Sequence, residues 1–186
     1  MAEDRIILGI DPGTNIMGYG ILHVEQKKMS FLASGIIDLK KMDDPYSKLA
    51  KIFERTPYLV NEYKPDEVAI EAPFFGKNVQ SMLKLGRAQG VAIAAAISRS
   101  VPIFEYQPRK IKQSITGNGD ASKEQVAIML QKLLNFKEMP HHLDATDGLA
   151  VAVCHYFQSN SPLTKNAKSF SGWKDFIAKN PDRLKK

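Results

Sequence analysis

An α/β fold, a mixed five-stranded sheet flanked by helices, is what this sequence predicts, and three observations predict it. First, two short apolar runs, residues 6–10 and 68–70, each end abruptly in a carboxylate, Asp11 and Glu71. Runs this short, bounded by turn formers such as Pro12-Gly13 and Lys64-Pro65-Asp66, read as buried strands rather than helices. Second, the segment that starts at Pro45 spaces Leu49, Ile52, Phe53, Thr56, Leu59 and Val60 as the apolar stripe of an amphipathic helix, with Pro57 expected to kink it. A strand, helix, strand order implies a right-handed crossover, which sets the two acid-tipped strands parallel. Third, residues 17–24 and 29–39 keep β character beyond short turns, so the first three strands form an antiparallel meander.

The remaining elements follow in order. Asn78 is a helix N-cap, and the long helix after it, to about Ser100, mixes Val79, Met82, Leu83, Val91 and Ile97 with Gly86, Gly90 and three consecutive alanines. A helix apolar nearly all round must be buried on more than one side, within the fold or by a second subunit. Residues 101–106 supply the fifth strand, and the basic run Arg109-Lys110-Ile111-Lys112 leads to a loop at Gly117-Asn118-Gly119-Asp120. Ser122 and Gln125 match a capping box before a helix striped by Val126, Met129, Leu130, Leu133 and Leu134. A last helix spans residues 141–153.

Composition narrows the function classes. The 186 residues, 44% of them hydrophobic, support one domain with a true core at residues 1–158. The longest apolar stretch, residues 91–97, is far short of the roughly 20 residues that span a bilayer. No signal peptide is read at the start, and the single cysteine, Cys154, excludes an internal disulfide and a thiolate metal cage, which suits a reducing cytosol. The formal charge of +6 is uneven: residues 159–186 hold seven Lys or Arg against two Asp, leaving the body 19 basic and 18 acidic side chains. A nearly neutral body with a basic tail suits a polyanion such as nucleic acid, although such a tail also simply aids solubility.

The chemistry concentrates in carboxylates. Taken alone, Asp11 reads equally well as a turn cap, but two parallel neighbours that deliver Asp11 and Glu71 to one edge are hard to explain as independent caps. Asp144 and Asp147, three apart, share one helix face with the apolar Leu149, Ala150 and Val153, so they lean toward the core rather than serving only the helix dipole. Buried acids need partners or a metal. An all-oxygen cluster suits Mg²⁺ or Mn²⁺, and two such ions about 3.5 to 4 Å apart support phosphodiester hydrolysis. Lys112 and Lys123, on either side of the glycine loop, are candidates for phosphate contact, while His141 and His142 are candidate bases whose commoner role is exposed or capping. Gly13, Gly18 and Gly20 leave room for close approach to the backbone.

Gly9-Ile10-Asp11-Pro12-Gly13-Thr14, Ala69-Ile70-Glu71, Lys84-Leu85-Gly86, Phe104-Glu105-Tyr106 and Asp144-Ala145-Thr146-Asp147-Gly148-Leu149-Ala150, in this order and spacing, resemble the RuvC family of bacterial Holliday junction resolvases. The resemblance covers about residues 6–157. It implies a ribonuclease H-like fold and a homodimer that resolves four-way junction DNA by paired metal-dependent nicks. It also implies a cytoplasmic, nucleoid-associated setting and cooperation with a branch-migration helicase complex. By position, Asp11, Glu71, Asp144 and Asp147 match the family's metal-binding acids. Phe74 matches an aromatic that reaches unstacked bases, with Lys77 beside it as a further DNA contact, and Lys112 and Lys123 match lysines that serve the cleaved strand. Gly148 departs from the alanine expected there, which should weaken its helix by up to about 1 kcal/mol, and Ala72-Pro73 departs from the polar residue expected after the glutamate.

Two rivals share parts of this pattern. A sugar-kinase or actin-like ATPase also carries Asp-x-Gly-Thr in its first hairpin, but it needs a second lobe and a second glycine-rich phosphate loop, which about 157 residues do not provide. A noncatalytic binder of DNA structure would gain affinity by losing its acids, and all four are present.

Overall fold

The sheet order is β3-β2-β1-β4-β5, with the ends of β1 and β4 side by side near its centre. The computed structural model describes residues 4–73, 78–135 and 143–160. In chain order the elements are β1 (Arg5–Asp11), β2 (Ile16–Glu25), β3 (Lys28–Asp38), α1 (Pro45–Tyr63), β4 (Glu67–Glu71), α2 (Val79–Ile97), β5 (Ile103–Tyr106), α3 (Pro108–Thr116), α4 (Lys123–Leu134) and α5 (Leu143–Ser159). β1, β2 and β3 form the antiparallel meander, and β1–β4 and β4–β5 pair in parallel, so the mixed sheet is as the sequence predicts. The predicted tail lies outside the described residues beyond Asn160.

Strand alternation divides the core into two layers. Leu8, Ile10, Met17, Ile21, Val68 and Ile70 pack with Ile52, Leu59, Ala88 and Ala92 of α1 and α2. Ile7, Leu22, Val24 and Ala69 face the other way, onto Ile111, Val126, Leu130 and the long apolar run of α5. Counting by two from Ile7 and Ala69 puts Asp11 and Glu71 on the α5 side of the sheet.

Four glycines let α5 lie directly on the β1–β2 backbone. A Cβ on Gly9 would sit 2.2 Å from the Gly148 carbonyl oxygen, one on Gly18 would sit 1.9 Å from that of Asp144, and one on Gly20 would sit 2.4 Å from the Leu149 Cα. The contact is reciprocal, since a Cβ on Gly148 would come within 2.5 Å of the Tyr19 Cα. Gly18 and Gly20 therefore do what the sequence suggested, whereas Gly13 closes its own turn against the Ile16 carbonyl. The other end of α5 is tied down by polar groups. His155, buried, lies 3.0 Å from Glu67 through Nε2 and 2.6 Å from the Tyr106 hydroxyl through Nδ1, while Arg5 bridges Glu67 and Ser159.

Three local features add to what the sequence patterns specified. The basic run at Pro108 is a helix rather than a connector, started by proline at its first turn and anchored by buried Ile111 and Ile115, one turn apart. Helix α1 runs on past Pro57, which is itself buried. The β2–β3 turn uses Gln26 and Lys27 at φ 49° and 65°, a two-residue turn with left-handed conformations that glycine or asparagine usually supplies.

Helix propensity and packing predict opposite signs for Gly148→Ala. Propensity alone would stabilise α5 by up to about 1 kcal/mol; the Tyr19 backbone leaves no space for the methyl, and overpacking typically costs about 1 to 3 kcal/mol. Urea unfolding is expected to show a net loss of stability.

Candidate active site

The acids reach the site by two structural routes. Asp11 ends β1 and Glu71 ends β4, and parallel pairing of those strands brings both ends to one sheet edge. Asp144 and Asp147 come from the first turns of α5, which the glycine seam presses onto β1 and β2 beside that edge. Asp11, Glu71 and Asp147 line a cleft of about 230 Å³ with Lys112, Lys123, Pro108, Ile111, Val126 and Ala150. Asp144 stands at its rim, with 39% of its side chain exposed against 16% for Asp147.

The acids crowd one another electrostatically. Burial and the neighbouring Glu71 and Asp147 carboxylates raise Asp11 well above the usual range. Burial, then Asp147, pushes Glu71 up to about 7, and burial raises Asp147 against the opposing pull of Lys123. Lys123 is the counter-charge: its ammonium donates to Asp147 and lies 3.7 Å from Asp144. Burial alone would lower the Lys123 pKa, but the Asp147 hydrogen bond and the surrounding carboxylates outweigh it and raise it. A capping box fixes this lysine at the start of α4, with the Ser122 hydroxyl accepting from the Gln125 backbone N–H and the Gln125 side-chain Oε1 accepting from the Ser122 backbone N–H.

Asp11, Glu71 and Asp147, which burial and repulsion make costly to ionise, form with Asp144 an all-oxygen donor set that fits a hard divalent cation. With Lys123 on Asp147, no three acidic or imidazole side chains among the described residues are gathered closely enough to hold an ion as they stand.

Of the residues read from the sequence, Asp11, Glu71, Asp147, Lys112 and Lys123 meet in the cleft and Asp144 borders it. Phe74, Lys77, His141 and His142 lie outside the described residues. One functional candidate was missed. Gln89 of α2, buried, donates to the Glu71 backbone carbonyl at 3.3 Å and to Glu105 at 2.9 Å, so it clamps the strand end that carries the acid. An amide set between Ala88 and Gly90, in the small apolar part of α2, was the available signal.

A family profile described as "Crossover junction endodeoxyribonuclease RuvC" matches residues 7–155. The chain belongs to the RuvC family. The protein of that name from Cytophaga hutchinsonii is 63% identical over 98% of this chain and 89% of its own length. The one from Bacteroides fragilis is 62% identical over 98% and 97%. The solved structure of Thermus thermophilus RuvC in complex with Holliday junction substrate superposes with a TM-score of 0.76 at 30% identity, covering 83% of this chain and 94% of that one. The fold is accordingly ribonuclease H-like, as the RuvC resemblance implied.

The raised Glu71 pKa sets a testable pH dependence for the metal-free protein. Between about pH 4.5 and 7 the folded chain binds more protons at Glu71 than the unfolded chain does, so this group makes stability fall as pH rises through that window. Glu71→Gln removes this effect. Without divalent metal it is expected to raise the melting temperature above wild type at pH 8, and the gain should shrink toward pH 5.

Proposed function

We propose that this chain is a metal-dependent endodeoxyribonuclease that cuts four-way DNA junctions, with Asp11, Glu71, Asp144 and Asp147 as the acids that hold its metal. The observation that carries this reading is the convergence of those four carboxylates with Lys112 and Lys123 on one open cleft. Membership of the RuvC family, together with the Holliday junction substrate of the Thermus complex, supplies the substrate class.

The all-oxygen donor set favours Mg²⁺, with Mn²⁺ as a substitute and two ions per site. When bound, these ions supply Lewis-acid activation of water and stabilise charge at the phosphate. The chain's own residues do the rest. The carboxylates fix the donor positions, and Gln89 holds the Glu71 backbone in place. Lys112 and Lys123 put two ammonium groups beside the same cleft, where they favour the extra negative charge of a phosphate under attack. Phe74 and Lys77, three and six residues after Glu71, are proposed as contacts to unstacked bases and backbone at the junction. The basic residues after Ser159 form a tail that adds general affinity for DNA.

A junction with two-fold symmetry calls for two related sites, and α2 offers the surface for a homodimer. Its buried face is Ala88, Gln89, Ala92, Ala95 and Ala96, while Val79, Leu83 and Ile97 are exposed and Gly86 and Gly90 face open space. Such a stripe permits close two-fold helix packing. The branch-migration helicase complex of the same system is the proposed partner of this dimer, at the bacterial nucleoid. No described helix is long and apolar enough to cross a membrane.

Light scattering is expected to give the mass of a dimer at micromolar concentration, and Leu83→Glu is expected to give a monomer. The decisive test of the reaction is Asp11→Asn, assayed on a synthetic four-way junction with Mg²⁺. Asn keeps the shape and turn-capping ability of Asp but loses the charge that a shared metal ligand needs. Cleavage should fall by at least about 100-fold, while junction binding without metal stays equal or tightens. Near-normal cleavage by the folded variant would overturn the metal-site reading.

A further inference from the structure

The acid cleft is poorly suited to hold DNA on its own, since four carboxylates face two lysines there. On the opposite side of the sheet, at the same edge, lies a larger groove of about 590 Å³ with the reverse charge. It opens between the β1–β2 turn and helices α1 and α2, and Lys48, Lys84 and Arg87 line it against the single carboxylate of Asp43. We propose that this groove is a second anion subsite, which holds the phosphodiester backbone of a DNA strand other than the one at the acid cleft. The inference rests on the junction-cutting function proposed above and adds to it a place for a second strand.

Three observations carry it. Lys48 is preorganised: its ammonium donates to the Thr14 carbonyl at 3.2 Å and to the Asn15 side chain at 2.9 Å, which holds it against the turn that directly follows Asp11. The cationic head is therefore fixed by the same short segment that fixes one of the acids, and a phosphate bound there is in register with the cleft. Lys84 and Arg87 make no ion pair with any described residue, so their charge is available to an incoming anion. Tyr46, at the start of α1, is an exposed ring in the groove wall, placed to lie against a sugar or base of the same strand. A junction presents strands that diverge from one point, and two grooves of opposite sign on either side of one turn suit that divergence better than a single cleft does.

The test uses the full chain and junction binding without divalent metal, measured over a salt series. Removal of each lysine that neutralises a phosphate should reduce the slope of log affinity against log salt by about 0.9. Lys84→Gln and the double variant Lys48→Gln/Lys84→Gln are expected to lower the slope by about 1 and 2, with the dimer mass intact. Lys132→Gln, on α4 and outside the groove, should leave the slope within error of wild type. An unchanged slope in the double variant, an equal loss in Lys132→Gln, or a loss that accompanies conversion to monomer would each overturn the subsite. Wild-type cleavage of the junction in the same buffers keeps the two readings apart. An active wild type with an unchanged double variant removes only the subsite, whereas a wild type that neither binds nor cuts the junction removes both.

Discussion

The closeness of α5 to the β1–β2 backbone is the constraint on which the rest of the site depends. A helix normally rests on a sheet at a distance set by intervening side chains; here Gly9, Gly18, Gly20 and Gly148 remove those side chains at the points of contact. The first turns of α5 consequently arrive at backbone level beside Asp11, and a helix lifted by the width of one Cβ would carry Asp147 away from the edge of the sheet. The seam is stiff for a second reason. Ala145, Thr146 and all residues from Gly148 to His155 are buried, so the helix has no solvent face along that length into which it could relax.

That rigidity makes an electrostatically unfavourable cluster possible. Burial and mutual repulsion raise Asp11, Glu71 and Asp147 together, and Lys123, followed by Lys112 at Glu71 and Asp147, offsets them in part. In a softer framework the carboxylates would swing apart toward water. The two apolar layers on either face of the sheet supply the stability that the acids subtract. The His155 end contributes as well. Burial pushes the Tyr106 hydroxyl up to about 12, so it stays protonated and donates to Nδ1, leaving the Nε2 hydrogen for Glu67, which His155 and Arg5 hold below the usual carboxylate range. Every polar atom of the His155 ring is thus satisfied in the interior, which allows α5 to be fixed at both ends.

What the sequence made legible was set by how local each signal is. Strand-end acids are visible because an apolar run and its terminal carboxylate are contiguous, and parallel pairing of β1 and β4 follows from element order alone. The helix-borne acids needed only the three-residue spacing of Asp144 and Asp147. The packing role of Gly148 was hidden because helix propensity is a one-element property, whereas this role lies in contact with Tyr19, well over a hundred residues away. Helix α3 was overlooked because nine residues with two buried isoleucines give little periodicity, and its formation depends on packing against α5. Gln89 escaped for the same reason: its partners, the Glu71 carbonyl and Glu105, belong to two other elements. The expectation that α2 is buried on more than one side is met on one face only within a single chain, and the remaining face is the one a second subunit would cover.

A protein that gathers acids to hold metal at a DNA backbone faces two opposed demands. The reacting centre must be negative before metal arrives, and the binding surface must be positive throughout. Uniform mixing of the two charges would satisfy neither, because a lysine near the acids pairs with them, as Lys123 does with Asp147, in the place a cation would take. Separation by sheet face resolves the conflict within a few residues of chain. Strand alternation sends Asp11 toward α5, and the turn after it presents the carbonyl of Thr14 and the amide of Asn15 to Lys48 on the α1 side. The sheet is only one layer thick there, so opposite charges are kept apart by backbone rather than by distance, and one short turn sets the position of both.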